Sequence, residues 1–113
     1  MTKEEFRKLT EQTLILDGAT GSNLMASGMP RGICTETWVI DHKDIIQNLQ
    51  RAYIKAGSQV IYAPTFGGNR LNLEKHGLAD RIEEINRTLV GYSKELAGNG
   101  VYGYASSYAC YSD

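Results

Sequence analysis

Short apolar runs alternate along the chain with longer segments whose apolar residues recur at helical spacing. The first run, Thr13 to Asp17, stops at an aspartate–glycine pair, which is typical of a buried strand that ends in a loop. Thr2 and Glu5 have the spacing of a capping box, and Asp41 is a candidate N-cap. The pattern predicts strands at residues 13–17, 58–63 and from 101, and helices at residues 2–11, 23–27, 42–56, 69–76 and 79–96.

The order of these elements predicts an α/β fold, because strands that alternate with helices form parallel sheets with right-handed crossovers. A closed (βα)₈ barrel typically has about 250 residues. The 113 residues hold only two full βα units and the start of a third. A free-standing three-stranded parallel sheet of this kind is poorly covered and leaves both edges open.

The end of the sequence breaks the pattern. Four tyrosines lie within residues 102–113, and residues 103–113 show neither a helical period nor a clear alternation. Their bias toward Tyr and Ser is typical of a low-complexity segment. We therefore divide the chain into a domain part, residues 1–102, and an atypical tail, residues 103–113.

Composition and charge narrow the class of protein. Hydrophobic residues make up 42% of the chain and charged residues 22%, as in ordinary globular domains. A net charge of −1 provides no basic field for nucleic acid or an anionic membrane. No apolar run suggests a signal peptide or a membrane span. Cys34 and Cys110 are far apart in the sequence and indicate reduced thiols, so we expect a cytoplasmic protein.

The loop after the first strand is the first candidate site. Ligands of parallel α/β proteins lie past the carboxyl ends of strands, where Asp17 is placed. Gly18 and Gly21 let a ligand approach backbone N–H groups that can face an anion. An acid beside free amides suits an amino-acid ligand, whose carboxylate takes the amides and whose ammonium takes the acid. The alternative is that Asp17 only caps the turn.

The loop after the second strand, residues 64–70, is the second candidate. Thr65 can donate a hydrogen bond and Phe66 can form the wall of a pocket. The alternative is a capped turn with a phenylalanine in the core. Because both loops are expected at the same end of neighbouring strands, together they favour one shared pocket.

Four residues are possible metal ligands: Cys34, His42, His76 and Cys110. None of them forms a C-x-x-C or H-x-x-x-H pair, so we expect no zinc site made by this chain alone. Cys34 is expected to pack beneath its loop, and the two histidines are expected at helix termini.

Four segments resemble, in order and spacing, the homocysteine S-methyltransferase domains that form the barrel of methionine synthases. Leu14 to Gly21, with the sequence LILDGATG, is similar to the opening strand and loop of that family. Residues 36–44 resemble the stretch that leads into its first helix, and residues 51–61 the junction to its second strand. Thr65 to Asn69, with the sequence TFGGN, matches the loop after that strand. The resemblance runs from about residue 14 to residue 102.

The resemblance implies an incomplete (βα)₈ TIM barrel of about two βα units plus a third strand. It also implies methyl transfer to the sulfur of homocysteine, which makes methionine. By position, Asp17, Gly18 and Ala19 match the loop that holds the amino-acid end of homocysteine. Thr65 and Phe66 match residues that line the same pocket.

The resemblance also bears on cofactors. Zinc in the family coordinates the homocysteine thiol and favours the thiolate, the nucleophilic form. The family's zinc cysteines lie on later strands, and neither Cys34 nor Cys110 matches them. Zinc is therefore expected in the full-length family domain and not on this chain alone. Cobalamin and folate are expected only through other modules, and the methyl donor is not indicated.

Two hypotheses from different classes follow, so whether the chain acts as an enzyme stays open. In the first, the chain is a truncated homocysteine S-methyltransferase that is inactive until joined by the remaining barrel. In the second, it is a non-catalytic remnant or an interaction domain that associates with a second copy of itself through its open sheet edges.

Overall fold

The structure, a computed structural model, describes residues 2–97 and 101–104, the side chain of Tyr104 excepted. Helices α1 to α6 span Lys3–Thr10, Gly21–Ala26, Thr35–Asp41, Lys43–Ala56, Arg70–Lys75 and Ile82–Lys94, and strands β1 and β2 span Val60–Tyr62 and Tyr102–Tyr104. A 3₁₀ turn, Ala79–Arg81, precedes α6. The result is a helix-rich α/β arrangement, and the predicted α/β class is confirmed.

The two strands pair in parallel, with Val60 opposite Tyr102 and Tyr62 opposite Tyr104. This pairing confirms the predicted parallel crossover through α5 and α6. Strand β2 extends into the segment that the sequence assigns to the tail. The rest of that segment, including Cys110, lies outside the described residues.

The first predicted strand, residues 13–17, is reduced to an isolated parallel bridge between Leu16 and Val60. Val60 N–H donates to Ile15 O at 3.2 Å, and Asp17 N–H donates to Val60 O at 2.9 Å. The next N–H of this ladder, that of Tyr62, donates instead to Asp17 Oδ2 at 3.0 Å. The prediction of a full strand was therefore wrong in length, because the carboxylate takes a hydrogen bond that a backbone carbonyl would accept in a regular ladder.

A helix that the sequence pattern did not predict, α3, lies directly before α4. Asp41 is its last residue, and His42 precedes the first residue of α4, so the prediction of Asp41 as an N-cap was wrong. His42 holds the corner because its N–H donates to Val39 O and its Nδ1 lies 2.7 Å from Trp38 O. The rings of Trp38 and His42 also stack at 3.8 Å.

The other helices begin and end close to the predicted positions. The capping box of α1 is present, with Thr2 Oγ1 accepting from Glu5 N–H and Glu5 Oε2 from Thr2 N–H. Helix α4 ends at Gly57, whose φ of 118° is left-handed backbone that favours glycine. Among the described residues, no helix is both long and apolar enough to span a membrane.

The helices enclose the core. Helix α6 is central to it and contacts α3, α4 and β2. Cys34 is buried there, as predicted. The core consists of Leu24, Met29, Cys34, Val39, Ile46, Leu73, Ile85 and Leu89. This layer fixes α3, α5 and α6 around the loops that leave the ends of the strands.

Candidate functional site

Asp17 occupies the carboxyl end of the first sheet segment, where it is half-buried. Its Oδ2 accepts a hydrogen bond from Tyr62 N–H at 3.0 Å. Burial raises the pKa of Asp17, and the hydrogen bond from Tyr62 partly offsets the rise because it stabilises the charged form. The carboxylate thus closes the end of the ladder.

The backbone after Asp17 is held from outside by two side chains. Tyr53 Oη donates to Ala19 O at 2.7 Å, and Asn23 Nδ2 donates to the same oxygen at 2.8 Å. A Cβ at Gly18 would lie 3.0 Å from Tyr53 Oη, so glycine allows this close approach. The N–H groups of Gly18 and Ala19 donate to no other described residue, and both residues are exposed. These two amides are available to an anion.

The loop after β1 is held by three side chains, one from each of α3, α5 and α6. Asn72 Nδ2 donates to Gly67 O at 2.8 Å, and Asn86 Nδ2 donates to Gly68 O at 2.7 Å. The third contact runs the other way, because the Glu36 carboxylate accepts from Gly67 N–H. A Cβ would lie 2.6 Å from Asn72 Nδ2 at Gly67 and 2.7 Å from Asn86 Oδ1 at Gly68. Because Gly67 and Gly68 have no Cβ, these polar side chains can approach and hydrogen-bond the loop backbone.

The two loops meet around a cavity of about 110 Å³. Its lining residues are Thr20, Gly21, Thr35, Glu36, Pro64, Phe66 and Gly67. Since space of this kind holds one water for roughly every 10–15 Å³, the cavity has room for a small polar group.

The sequence-based site residues take different positions relative to this cavity. Phe66 is part of its wall. Thr65 is 2% exposed and lies beneath the loop, where its N–H donates to Ala63 O. Asp17, Gly18 and Ala19 precede the lining residue Thr20 in the chain but do not line the cavity themselves, and the Asp17 carboxylate bonds Tyr62 N–H at the end of β1. The structure thus brings the ends of both predicted loops together.

Sequence reasoning missed Glu36, a buried carboxylate in the cavity wall. Its residue exposure is 3%, and its Oε2 has no hydrogen-bond partner among the described residues. Burial raises the pKa of Glu36, while hydrogen bonds from its own N–H and that of Gly67, together with the charge of His76, offset part of the rise. An acid in a segment expected to be an irregular connection is ordinarily solvent-exposed, so the sequence carried no signal of this burial.

The described residues do not fit a zinc site. No group of three or more His, Cys, Asp or Glu side chains within residues 2–97 and 101–103 could hold a metal ion. Cys34 is buried in the core, and His42 stacks on Trp38. We therefore derive no step of the chemistry through a metal.

Known proteins resemble the chain over most of its length. The family model for homocysteine S-methyltransferase matches residues 14–113. The methionine synthase of Mycobacterium tuberculosis is 28% identical over 95 residues, which are 79% of this chain and 8% of that protein. The S-methylmethionine–homocysteine S-methyltransferase BHMT2 of Pongo abelii is 29% identical over 90 residues, which are 79% of this chain and 23% of that protein.

The methionine synthase of Mycobacterium leprae gives a similar match, 28% identity over 85 residues, with 70% of this chain and 7% of that protein covered. The chain thus spans less than a quarter of the length of each of these relatives. The family match covers both strand-end loops and the cavity between them. The chain belongs to the homocysteine S-methyltransferase family.

Proposed function

We propose that this chain forms the part of a homocysteine S-methyltransferase that binds the amino-acid end of homocysteine. The observation that carries the proposal is the meeting of two strand-end loops around one cavity in a chain of this family. Parallel α/β proteins bind ligands at this end of the sheet. The relatives named above include methionine synthases and a homocysteine methyltransferase, so we propose homocysteine as the amino acid that binds here.

Both charged groups at the amino-acid end of homocysteine have a matching group in the first loop. The exposed N–H groups of Gly18 and Ala19 suit the α-carboxylate, because paired backbone amides form a favourable site for an anion. Asp17 is the acceptor for the α-ammonium, and its bond to Tyr62 N–H holds it in place. Phe66, supported by Thr65 beneath it, forms the wall on the side of the second loop.

In this proposal the sheet is the beginning of a (βα)₈ barrel. An apolar groove of about 350 Å³ runs over the face of the sheet and is lined by Phe6, Leu14, Leu16, Val60 and Tyr62. Leu16 is 46% exposed there, which is unfavourable for a strand residue of this size. Later strands of the family domain would cover this groove and bring the groups that activate the thiol. Methyl transfer is thus proposed for the complete domain, with zinc supplying thiolate activation there.

A second candidate function rests on the same exposed groove. Leu16, which lines this groove, is 46% exposed, so a second copy of the chain could bury it in an interaction domain. Size-exclusion chromatography with light scattering distinguishes the two. A dimer that binds no homocysteine favours the interaction domain, and a chain that binds homocysteine favours the substrate segment.

Calorimetric titration of the chain with L-homocysteine tests the proposal. The substitution Asp17→Asn keeps an oxygen for Tyr62 N–H and removes the charge, so we expect at least about tenfold weaker binding, the range of a charge-assisted hydrogen bond. Asp80→Asn, on an exposed residue of the 3₁₀ turn, is the matched control and should bind like the unmodified chain. Equal affinity of the Asp17→Asn variant and the unmodified chain would contradict the role of Asp17.

A further inference from the structure

Glu36 lies in surroundings that disfavour a carboxylate, and one of its oxygens remains without a hydrogen bond among the described residues. The other oxygen is accounted for, because Gly67 N–H bonds the carboxylate and Oε2 takes no part. Buried polar atoms almost always have a partner, so an orphaned carboxylate oxygen calls for an explanation. The contact with Gly67 N–H accounts for one carboxylate oxygen of Glu36 and leaves Oε2 unexplained.

The position of Glu36 supplies that explanation. The residue lines the cavity between the two loops, together with Thr20 and Gly21 of the first loop and Phe66 of the second. Oε2 is shielded from solvent in the wall. The terminal torsion of a glutamate side chain is soft, so a donor placed in the cavity can draw Oε2 toward it at little cost.

We propose that Glu36 Oε2 accepts a hydrogen bond from the α-ammonium of the amino-acid substrate and that Glu36 thereby selects for a free α-amino group. The inference rests on the proposed function and adds a second carboxylate to the site. An ammonium has three donors, so a bond to Glu36 leaves two donors for other acceptors. The cavity of about 110 Å³ has room for this end of the ligand.

The chemistry of the site favours a cation in this space. A buried carboxylate is costly when unpaired, and an incoming ammonium supplies both the missing hydrogen bond and the opposite charge. Gly67 N–H fixes the first oxygen, so the carboxylate is held near the cavity before the ligand arrives. An amine-free analogue gains nothing from this arrangement.

Two ligands that differ only in the α-amino group test the inference: L-homocysteine and 4-mercaptobutanoate. Glu36→Gln keeps the acceptor for Gly67 N–H and removes the charge. We expect this variant to bind L-homocysteine at least about tenfold more weakly and 4-mercaptobutanoate as the unmodified chain does. Glu74→Gln, on an exposed residue of α5, is the matched control and should bind both ligands unchanged.

Each other outcome has a definite meaning. Equal losses for the two ligands would mean that Glu36 only holds the loop, and unchanged binding of both would mean that the cavity holds water; either overturns the inference and leaves the proposed function standing. Failure of the unmodified chain to bind L-homocysteine overturns both. If the Glu36→Gln variant does not fold, the ¹³C carboxyl resonance of Glu36 in the unmodified chain decides: it should move with L-homocysteine and stay with 4-mercaptobutanoate, and the reverse overturns the inference.

Discussion

At the scale of single residues, the proposals depend on two acids, Asp17 and Glu36, and each of them accepts a backbone hydrogen bond within the fold. Asp17 takes the Tyr62 N–H and so ends the sheet ladder at the point where the loop begins. Glu36 takes the Gly67 N–H and so fixes the second loop. Burial raises the pKa of both, which means that the fold tolerates their charge at a cost in stability.

This cost predicts a pH dependence of the free energy of unfolding. The pKa of Glu36 is higher in the folded chain than its ordinary value of 4.5, so the folded state holds the proton more tightly than the unfolded state. Its contribution is therefore fully present below pH 4.5 and is lost as the pH rises through the folded pKa. A tenfold difference between the two acid dissociation constants corresponds to about 1.4 kcal/mol.

The measurement is urea unfolding of the unmodified chain and of Glu36→Gln at a series of pH values. The free energy of unfolding of the unmodified chain minus that of the variant should fall as the pH rises above 4.5. The contribution of Asp17 cancels in this difference because both chains contain it. Glu84→Gln is a control of opposite sign, since Arg81 lowers the pKa of Glu84 and the corresponding difference rises with pH. A difference for Glu36 that is flat or rises with pH would contradict its burial as a carboxyl group.

At the scale of elements, the sequence predicted those features that depend on neighbouring residues. The capping box of α1 and the glycine at the end of α4 follow from local rules and are present. Helix α3 was missed because its stability comes from packing, with Val39 fully buried among residues distant in the sequence. The strand around Leu16 was predicted too long because no local sequence feature indicates that the Asp17 side chain will replace a backbone carbonyl as the acceptor for Tyr62 N–H.

Helix α5 offers a test of how much packing contributes, because it has one buried and one exposed leucine. Leu73 is fully buried and Leu71 is 43% exposed. Leu73→Ala should reduce the free energy of unfolding by about 2–5 kcal/mol, the usual cost of a cavity in a well-packed core. Leu71→Ala should change it by less than about 0.5 kcal/mol. Comparable losses in urea unfolding would show that α5 is not packed as described.

At the scale of the whole molecule, the site depends on contacts that no local pattern shows. The parallel order of the strands leads one to expect that two strand-end loops come together, and Thr20 and Phe66 lie around one cavity, whereas Asp17 and Thr65 do not line it. The burial of Glu36 beside Gly67 follows only from how α3 packs, so it could not be predicted. The amino-acid site and the barrel stay proposals that the family match supports.

The central claim is that the two loops form one pocket for homocysteine, and amide NMR of the ¹⁵N-labelled chain tests it most directly. Addition of L-homocysteine should shift the N–H resonances of Gly18 and Ala19 in the first loop and of Gly67 in the second, with one common dissociation constant. Shifts confined to the apolar groove around Phe6 and Leu14, or the absence of any shift at millimolar homocysteine, would contradict the account.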